Sequence, residues 1–502
     1  MERSRHHTRR AALIVAGIVA QGCVAHSTAT QVRQVHGEAY GPYLRGLMLE
    51  RSAKLPAALS AYHEALGFDN QSPLLHVRVG AAHLKLGQPE QALKSFQRAL
   101  DLDPGNRDAL RWVAMLRTSQ GQLDEAVDAY EKLLANHPTD SFVLSTLADL
   151  YVMQDELPKA IELYERLVRT QGSSYQLHFN LGVLHGRLGH LDESIQQLSR
   201  AIEFAPNSVE SRVALGLTYE LAHQPDKAEA HYLEAIKLDP LNPRLYYHAA
   251  RASVSQHDAK KAIQHYQTVL DLTPDDLDAV MALVRLWVSD KQFSTAQDFL
   301  AKKIKGMDDQ PELYLMLGLV YREADQPQEA LRAFERAIAL HEDSAQAYFY
   351  YGAQLERLNV KREARSALRR AIAIDPNYAD ALNYLGYMDV EDGVNLQEAR
   401  SFIERALKLD PDNGAYVDSL GWLYYQMGQW DNAVLHLKHA VELLDNDPTV
   451  FEHLGDAYLK RGDLEDARAA WHKALELDQT SESVKQKLEK LTPREATVAT
   501  PQ

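Results

Sequence analysis

A small residue recurs every 34 positions through most of the chain: Ala58, Ala92, Ala126, Ala160, Ser194, Ala228, Ala262, Ala296, Ala330 and Ala364, then, after one interval of 35, Ala399, Ala433 and Ala467. A strict period of this length means a stack of like units, none of which can bury its apolar face alone. Proline punctuates the same ladder. Pro104, Pro138, Pro206, Pro240, Pro274, Pro376 and Pro411 each follow their marker by 12 residues. Proline has no amide proton and clashes with the preceding turn, so a helix carrying the marker must stop before it. Gly87, Gly121 and Gly189 lie five residues ahead of their markers and signal a tight turn inside the unit. Each unit therefore reads as two antiparallel helices.

A second small residue stands 12 positions before the marker in most units, as at Gly46, Gly80, Gly216, Gly318, Gly421 and Gly455, and 13 before it at Gly386. Two helices crossing tightly leave no room there for a large side chain. Tyr62, Phe96, Tyr130, Tyr164, Tyr232, Tyr266, Phe334 and Trp471 follow the marker by four and fill the space beside it, so this aromatic stripe is core. In period, small positions, aromatic and proline, the pattern resembles the tetratricopeptide repeat family over about residues 39–479. The resemblance implies an all-α fold: a right-handed superhelical solenoid of about thirteen TPR helix-turn-helix repeats. Positions 5, 9 and 12 of each first helix would line its concave groove. Ser481 can cap a last helix over 480–491, whose Val484, Leu488 and Leu491 share one face and shield the final repeat. Residues 492–502 are expected to be disordered.

Repeat eight, within 277–310, departs from the pattern. Val284 replaces the small residue, Lys303 stands where alanine is expected, and Asp308 replaces proline. A buried, unpaired ammonium is costly, so the helix end near Lys303 must rotate, fray or let the side chain snorkel. A hinge and simple drift both account for this irregularity.

Residues 1–22 carry Arg3, Arg5, Arg9 and Arg10, then an uncharged stretch from Ala11 to Ala20, then Gln21 and Gly22. This is the composition of a secretion signal, and the stretch is half the length of a membrane span. Cys23, the chain's single cysteine, follows directly and has no cysteine partner. Its position resembles the lipobox of bacterial lipoproteins, which implies lipidation of Cys23. Ala20 and Gln21 differ from the usual leucine and small residue, and a plain secretory signal is the alternative. Val24 does not match the aspartate of inner-membrane retention, so an outer-membrane anchor facing the periplasm is expected, with residues 23–38 as lipidated N-terminus and tether.

The repeats leave no room for a catalytic domain, and no phosphate loop or paired-histidine zinc motif is present. We expect a non-enzyme with no cofactor, no metal and no catalytic residue. His231, His248 and His265 form a loose sequence cluster, but without ligand spacing. A formal charge of -16 argues against nucleic acid, which requires clustered Lys and Arg.

Function is expected on the inner stripe. In repeat eleven it reads Asn383, Tyr387 and Val390, and in repeat twelve Asp418, Trp422 and Tyr425. Aromatic residues with polar handles are the composition of an interface anchor, although Trp422 and Tyr425 packing on the next repeat would also explain them. Arg244, Arg251, Arg285 and Arg322 offer a second, basic row that can receive carboxylates or pair with local Glu and Asp. The chaperone-type carboxylate clamp is not matched.

The segments Asn383–Tyr387 and Asp418–Trp422, with His453–Asp456 and Trp471, resemble the C-terminal part of Gram-negative outer-membrane lipoproteins that act as adaptors of a carboxyl-terminal processing protease. That resemblance implies a periplasmic scaffold, touching the membrane only through its lipid, that presents proteins to such a protease. An assembly or stability factor for a pilus or an exopolysaccharide export machine is the alternative.

Overall fold

In nine of the thirteen pairs the first helix meets its second at one close contact, a glycine against a side chain. In the pair Pro311–Glu323 and Pro327–Leu340, proline opens both helices, where its missing amide costs nothing. Phe334 of the second helix is fully buried, and a Cβ on Gly318 would lie 2.4 Å from its ring. Burial of such a ring stabilises by roughly 1.5–3 kcal/mol, and only glycine lets it approach so closely. The same geometry recurs between Gly216 and Tyr232.

The computed structural model describes residues 37–491. Among these residues there are 27 α-helices and, at Gly37–Ala39, one 3-10 turn. The signal, Cys23, most of the tether and the tail 492–502 lie outside them. Contacts group the chain into two units, Met1–Leu272 and Thr273–Gln502. The first holds seven helix pairs, from Tyr40–Arg51 with Leu55–Phe68 to Pro243–Ser255 with Ala259–Leu272. The second holds six, from Leu277–Ser289 with Phe293–Ile304 to Pro448–Arg461 with Leu464–Leu477, and a last single helix, Glu482–Leu491. No helix among the described residues is long and apolar enough to cross a membrane.

The turn inside a pair follows one rule throughout. Its fifteenth residue is left-handed in every pair, with glycine at 87, 121, 189, 393, 428 and 462 but Ala53, Asp155, His223, His257, Lys291, Asp325 and Asn359 elsewhere. A six-residue closure makes the demand, as where the Gln326 amide donates to the Tyr321 carbonyl at 2.9 Å and the Gln122 amide to Arg117 at 3.0 Å. A side chain in this region costs about 1–2 kcal/mol, so the closure and the helix packing must outweigh it. The extra residue of repeat eleven is absorbed here, with Gly393 and Asn395 both at positive φ.

Repeat eight resolves its misfit by snorkelling. The second helix, Phe293–Ile304, has 12 residues where Pro327–Leu340 has 14. The Lys303 ammonium runs over the Phe299 ring and donates to the Pro274 carbonyl at 2.7 Å. Val284 is fully buried, and Trp287 meets Phe299 edge-on at 5.0 Å. At the C-terminus Ser481 Oγ accepts from the Val484 amide at 3.4 Å, and Val484, Leu488 and Leu491 pack on Trp471.

Candidate functional site

The first helices of repeats eleven to thirteen, Ala379–Glu391, Gly414–Gln426 and Pro448–Arg461, bring the expected aromatic residues together. Trp422 is half-buried and stacks on Tyr425, three residues on, with ring centroids 4.3 Å apart and planes 6° from parallel. It also stacks on His453 of the next repeat at 4.1 Å. Its indole Nε1 donates to the exposed Glu391 carboxylate of the previous repeat. Trp422 therefore bridges three repeats while keeping part of its surface in solvent.

Asp418 is buried, with 7% of its surface exposed, and its two oxygens lie 2.9 and 3.1 Å from Nδ1 of His453, itself 7% exposed. Burial alone would lower the His453 pKa. The hydrogen bond and charge of Asp418, helped by Glu391 and Asp456, outweigh it and raise the pKa above the ordinary histidine value. Asp418 thus joins repeats twelve and thirteen. One step along, Lys487 of the last helix binds Glu452 at 2.6 Å, repeating the 35-residue offset, and Asp456 at 2.7 Å. Asp456 also accepts from Trp471 Nε1 at 3.1 Å.

Tyr387 is half-buried, and burial, then the charges of Glu391 and Asp418, raise its phenol well above the usual range. Asn383 is half-buried, with Oδ1 enclosed and without a partner. Val390 is fully buried against Leu420 and Leu423, so the third position of that stripe belongs to the core.

The basic residues separate. In the first unit Arg244 is the second residue of its helix, at the helix start rather than on the stripe, and Arg251 pairs with Glu220 at 3.4 Å. In the second unit Arg285 and Arg322 line one cavity of about 570 Å³ with Met281, Leu315, Leu319 and Tyr350. Arg322 lies over the Tyr350 ring at 5.4 Å and pairs with Glu323 at 3.1 Å.

Family models described as tetratricopeptide repeats match residues 80–141, 213–276 and 355–414, then 117–178, 175–208, 421–462 and 448–481, more than half of the chain between them. The chain belongs to the tetratricopeptide repeat family. A model of armadillo-type repeats, the TT21 fifth ARM repeats domain, also matches residues 249–350. No curated protein compared with the chain matches it. Among solved structures, the anaphase-promoting-complex hetero-tetramer Cut9-Hcn1 is 15% identical, with 93% of this chain and 99% of that chain covered and a TM-score of 0.44. MamA is 22% identical, with 34% of this chain and 94% of that chain covered and a TM-score of 0.32. Tetratricopeptide repeat proteins are typically non-enzymatic scaffolds that bind other proteins.

In these tetratricopeptide repeats the sequence cluster of histidines does not converge. His231 stacks on Tyr219 at 5.5 Å, His248 on Tyr232 at 5.2 Å, and His265 tilts against Tyr246 at 6.4 Å. Burial lowers the pKa of all three, which favours the neutral rings that stack. No group of three His, Cys, Asp or Glu poised for a metal occurs among the described residues. Two residues essential to the aromatic cluster, Glu391 and His453, fall outside the 5, 9, 12 stripe. The signal for His453 was its spacing of 35 from Asp418, one repeat plus one.

Proposed function

We propose that this chain is a non-enzymatic scaffold that holds partner proteins on the inner face of its first helices, with the Trp422–Tyr425 stack as the principal anchor. The observation that supports it is that Trp422 is fixed on three sides yet half-exposed: preorganised aromatic surface is what concentrates binding energy. Asn383, Tyr387 and Asp418 position and flank this stack. Arg285 and Arg322, with Arg244 and Arg251 in the other unit, are secondary contacts for acidic groups.

In its finer form, the scaffold sits at the outer membrane facing the periplasm, held by a lipid on Cys23, and presents proteins to a carboxyl-terminal processing protease. The basic head, apolar stretch and single cysteine support the address, and the motifs around Tyr387 and Trp422 support the partner. Labelled palmitate is expected to enter the native chain and to be absent from Cys23→Ser. No label in the native chain removes the anchor.

The scaffold is tested by crosslinking and pull-down from a periplasmic extract with native chain, Trp422→Ala and Tyr387→Ala. Truncating a central aromatic anchor costs about 2–4 kcal/mol of binding, so Trp422→Ala is expected to lose its partners nearly completely. Recovery of a processing protease favours the adaptor, whereas secretin, pilin or exporter subunits favour an assembly factor. Retention of every partner at native affinity by both variants sinks the aromatic anchor.

A further inference from the structure

The cavity of about 570 Å³ in the second unit is built by the first helices of repeats eight, nine and ten, Leu277–Ser289, Pro311–Glu323 and Ala345–Arg357. Its lining is mixed in a definite way. Met281 and Leu319, both half-buried, supply apolar surface over the buried Leu315 and Met316, and two guanidiniums stand beside them. Arg322 is already engaged, by Glu323 and by the Tyr350 ring. Arg285 is exposed, and among the described residues no carboxylate lies within ion-pair distance of it.

An unpaired guanidinium in a chain of net charge -16, beside half-buried methionine and leucine side chains, is complementary to one kind of ligand. The other carboxylate in the lining, Glu312, is in the first turn of its helix. Arg322 is ten residues on, so about 15 Å of helix separates Glu312 from the basic end. Glu323, the carboxylate at that end, is taken up by Arg322, which leaves Arg285 as the guanidinium open to an anion.

We propose that this cavity docks an extended segment of a partner protein carrying a large aliphatic side chain beside an acidic one. The aliphatic group packs on Met281, Leu315 and Leu319, and the side-chain carboxylate pairs with Arg285. One free guanidinium matches one side-chain carboxylate. Alternate residues of an extended segment lie on the same face, about 7 Å apart, within the span of the cavity. Methionine and leucine adapt to different aliphatic shapes, so the charge fixes register and the apolar floor tolerates variety. The inference rests on the scaffold reading above and names a second contact for it, distinct from the Trp422 stack.

The test is fluorescence anisotropy with the full chain and fluorescein-labelled eight-residue peptides. One repeats Leu-Ser-Glu-Ser, which sets leucine and glutamate two apart on one face, one repeats Leu-Ser-Lys-Ser, and one repeats Ser-Ser-Glu-Ser. The leucine–glutamate peptide is expected to bind the native chain and the other two to fail. Arg285→Gln is expected to weaken binding by roughly tenfold, and Arg285→Lys by less, because an ammonium keeps the charge but loses the bidentate fork. Equal binding by Arg285→Gln, equal binding of the lysine peptide, or no binding to the native chain overturns the proposal. If the peptide fails while Trp422-dependent pull-down succeeds, only the cavity is lost. Failure of both removes the scaffold as well.

Discussion

Asp418→Ala is expected to destabilise the second unit by about 3–5 kcal/mol at pH 6, because it leaves a buried imidazolium without its counter-charge. Asp418 and His453 are each 7% exposed and joined at 2.9 Å, so water cannot replace the lost partner. The double substitution Asp418→Leu with His453→Phe is expected to recover most of that loss. An apolar pair of similar size avoids the desolvation that the ion pair must overcome, and Phe can keep the stack on Trp422. The sign of the pH dependence follows from His453. Its folded pKa is raised above the unfolded value of about 6.5, so the pair's contribution is fully present below about 6.5 and is lost as pH rises through the folded value. The cost of Asp418→Ala should therefore shrink between pH 6 and pH 9. Trp287, Trp422, Trp430 and Trp471 lie in the second unit and only Trp112 in the first, so urea titration followed by indole emission reports mainly on the right part of the chain. A cost below about 1 kcal/mol at pH 6, where breaking such a pair exceeds 3, or one that does not change with pH, contradicts this account of the pair.

Trp471→Ala is expected to cost about 3–5 kcal/mol as well, but in a confined place. Its ring is 1% exposed and lies where a Cβ on Gly455 would be 2.4 Å away, and its Nε1 supplies a donor to Asp456. Burial already raises the Asp456 pKa, so losing that donor adds to the cost of holding the carboxylate. Stacked repeats couple only to their neighbours, so the loss should appear as local opening. The last helix, ten residues long, is too short to persist alone and depends on Trp471 for its apolar contact. Hydrogen exchange followed by mass spectrometry should show lost protection over 448–491 and native protection over 311–323. Uniform loss across the whole unit, or none, would show that repeat thirteen is not an independent end.

The helix pairs were legible because most rest on a local steric match, such as Gly318 against Phe334 or Gly455 against Trp471, at a nearly constant sequence separation. The cluster around Trp422 was legible only in part. Tyr387 on the stripe of one first helix and Trp422 and Tyr425 on that of the next declare themselves by size. Glu391 and His453 join it through the rotation of one repeat on the next, which no single helix encodes. Val390 misleads for a related reason. Positions five and twelve are seven residues apart, and a seven-residue step falls about 20° short of two full turns. In repeat eleven the small Val390 at the third position is fully buried, whereas in repeat twelve the larger Tyr425 is half-buried and stacks on Trp422. Lys303 was predicted to escape burial, but the Pro274 carbonyl that receives it is 29 residues away and only the folded chain brings it close.

The left-handed turn residue, one per repeat, is exposed at all thirteen positions, and seven of them carry a side chain other than glycine. Alanine, aspartate, asparagine, histidine and lysine all occur there, so the backbone fixes the site while leaving its chemistry open. Within each unit this makes an addressable series, spaced by one helix pair per step and away from the inner face. Cysteines placed at His223 and His257 in the first unit, or at Lys291 and Asp325 in the second, would carry dyes or crosslinkers one repeat apart, turning the periodicity of each unit into a ruler along which a bound partner can be located.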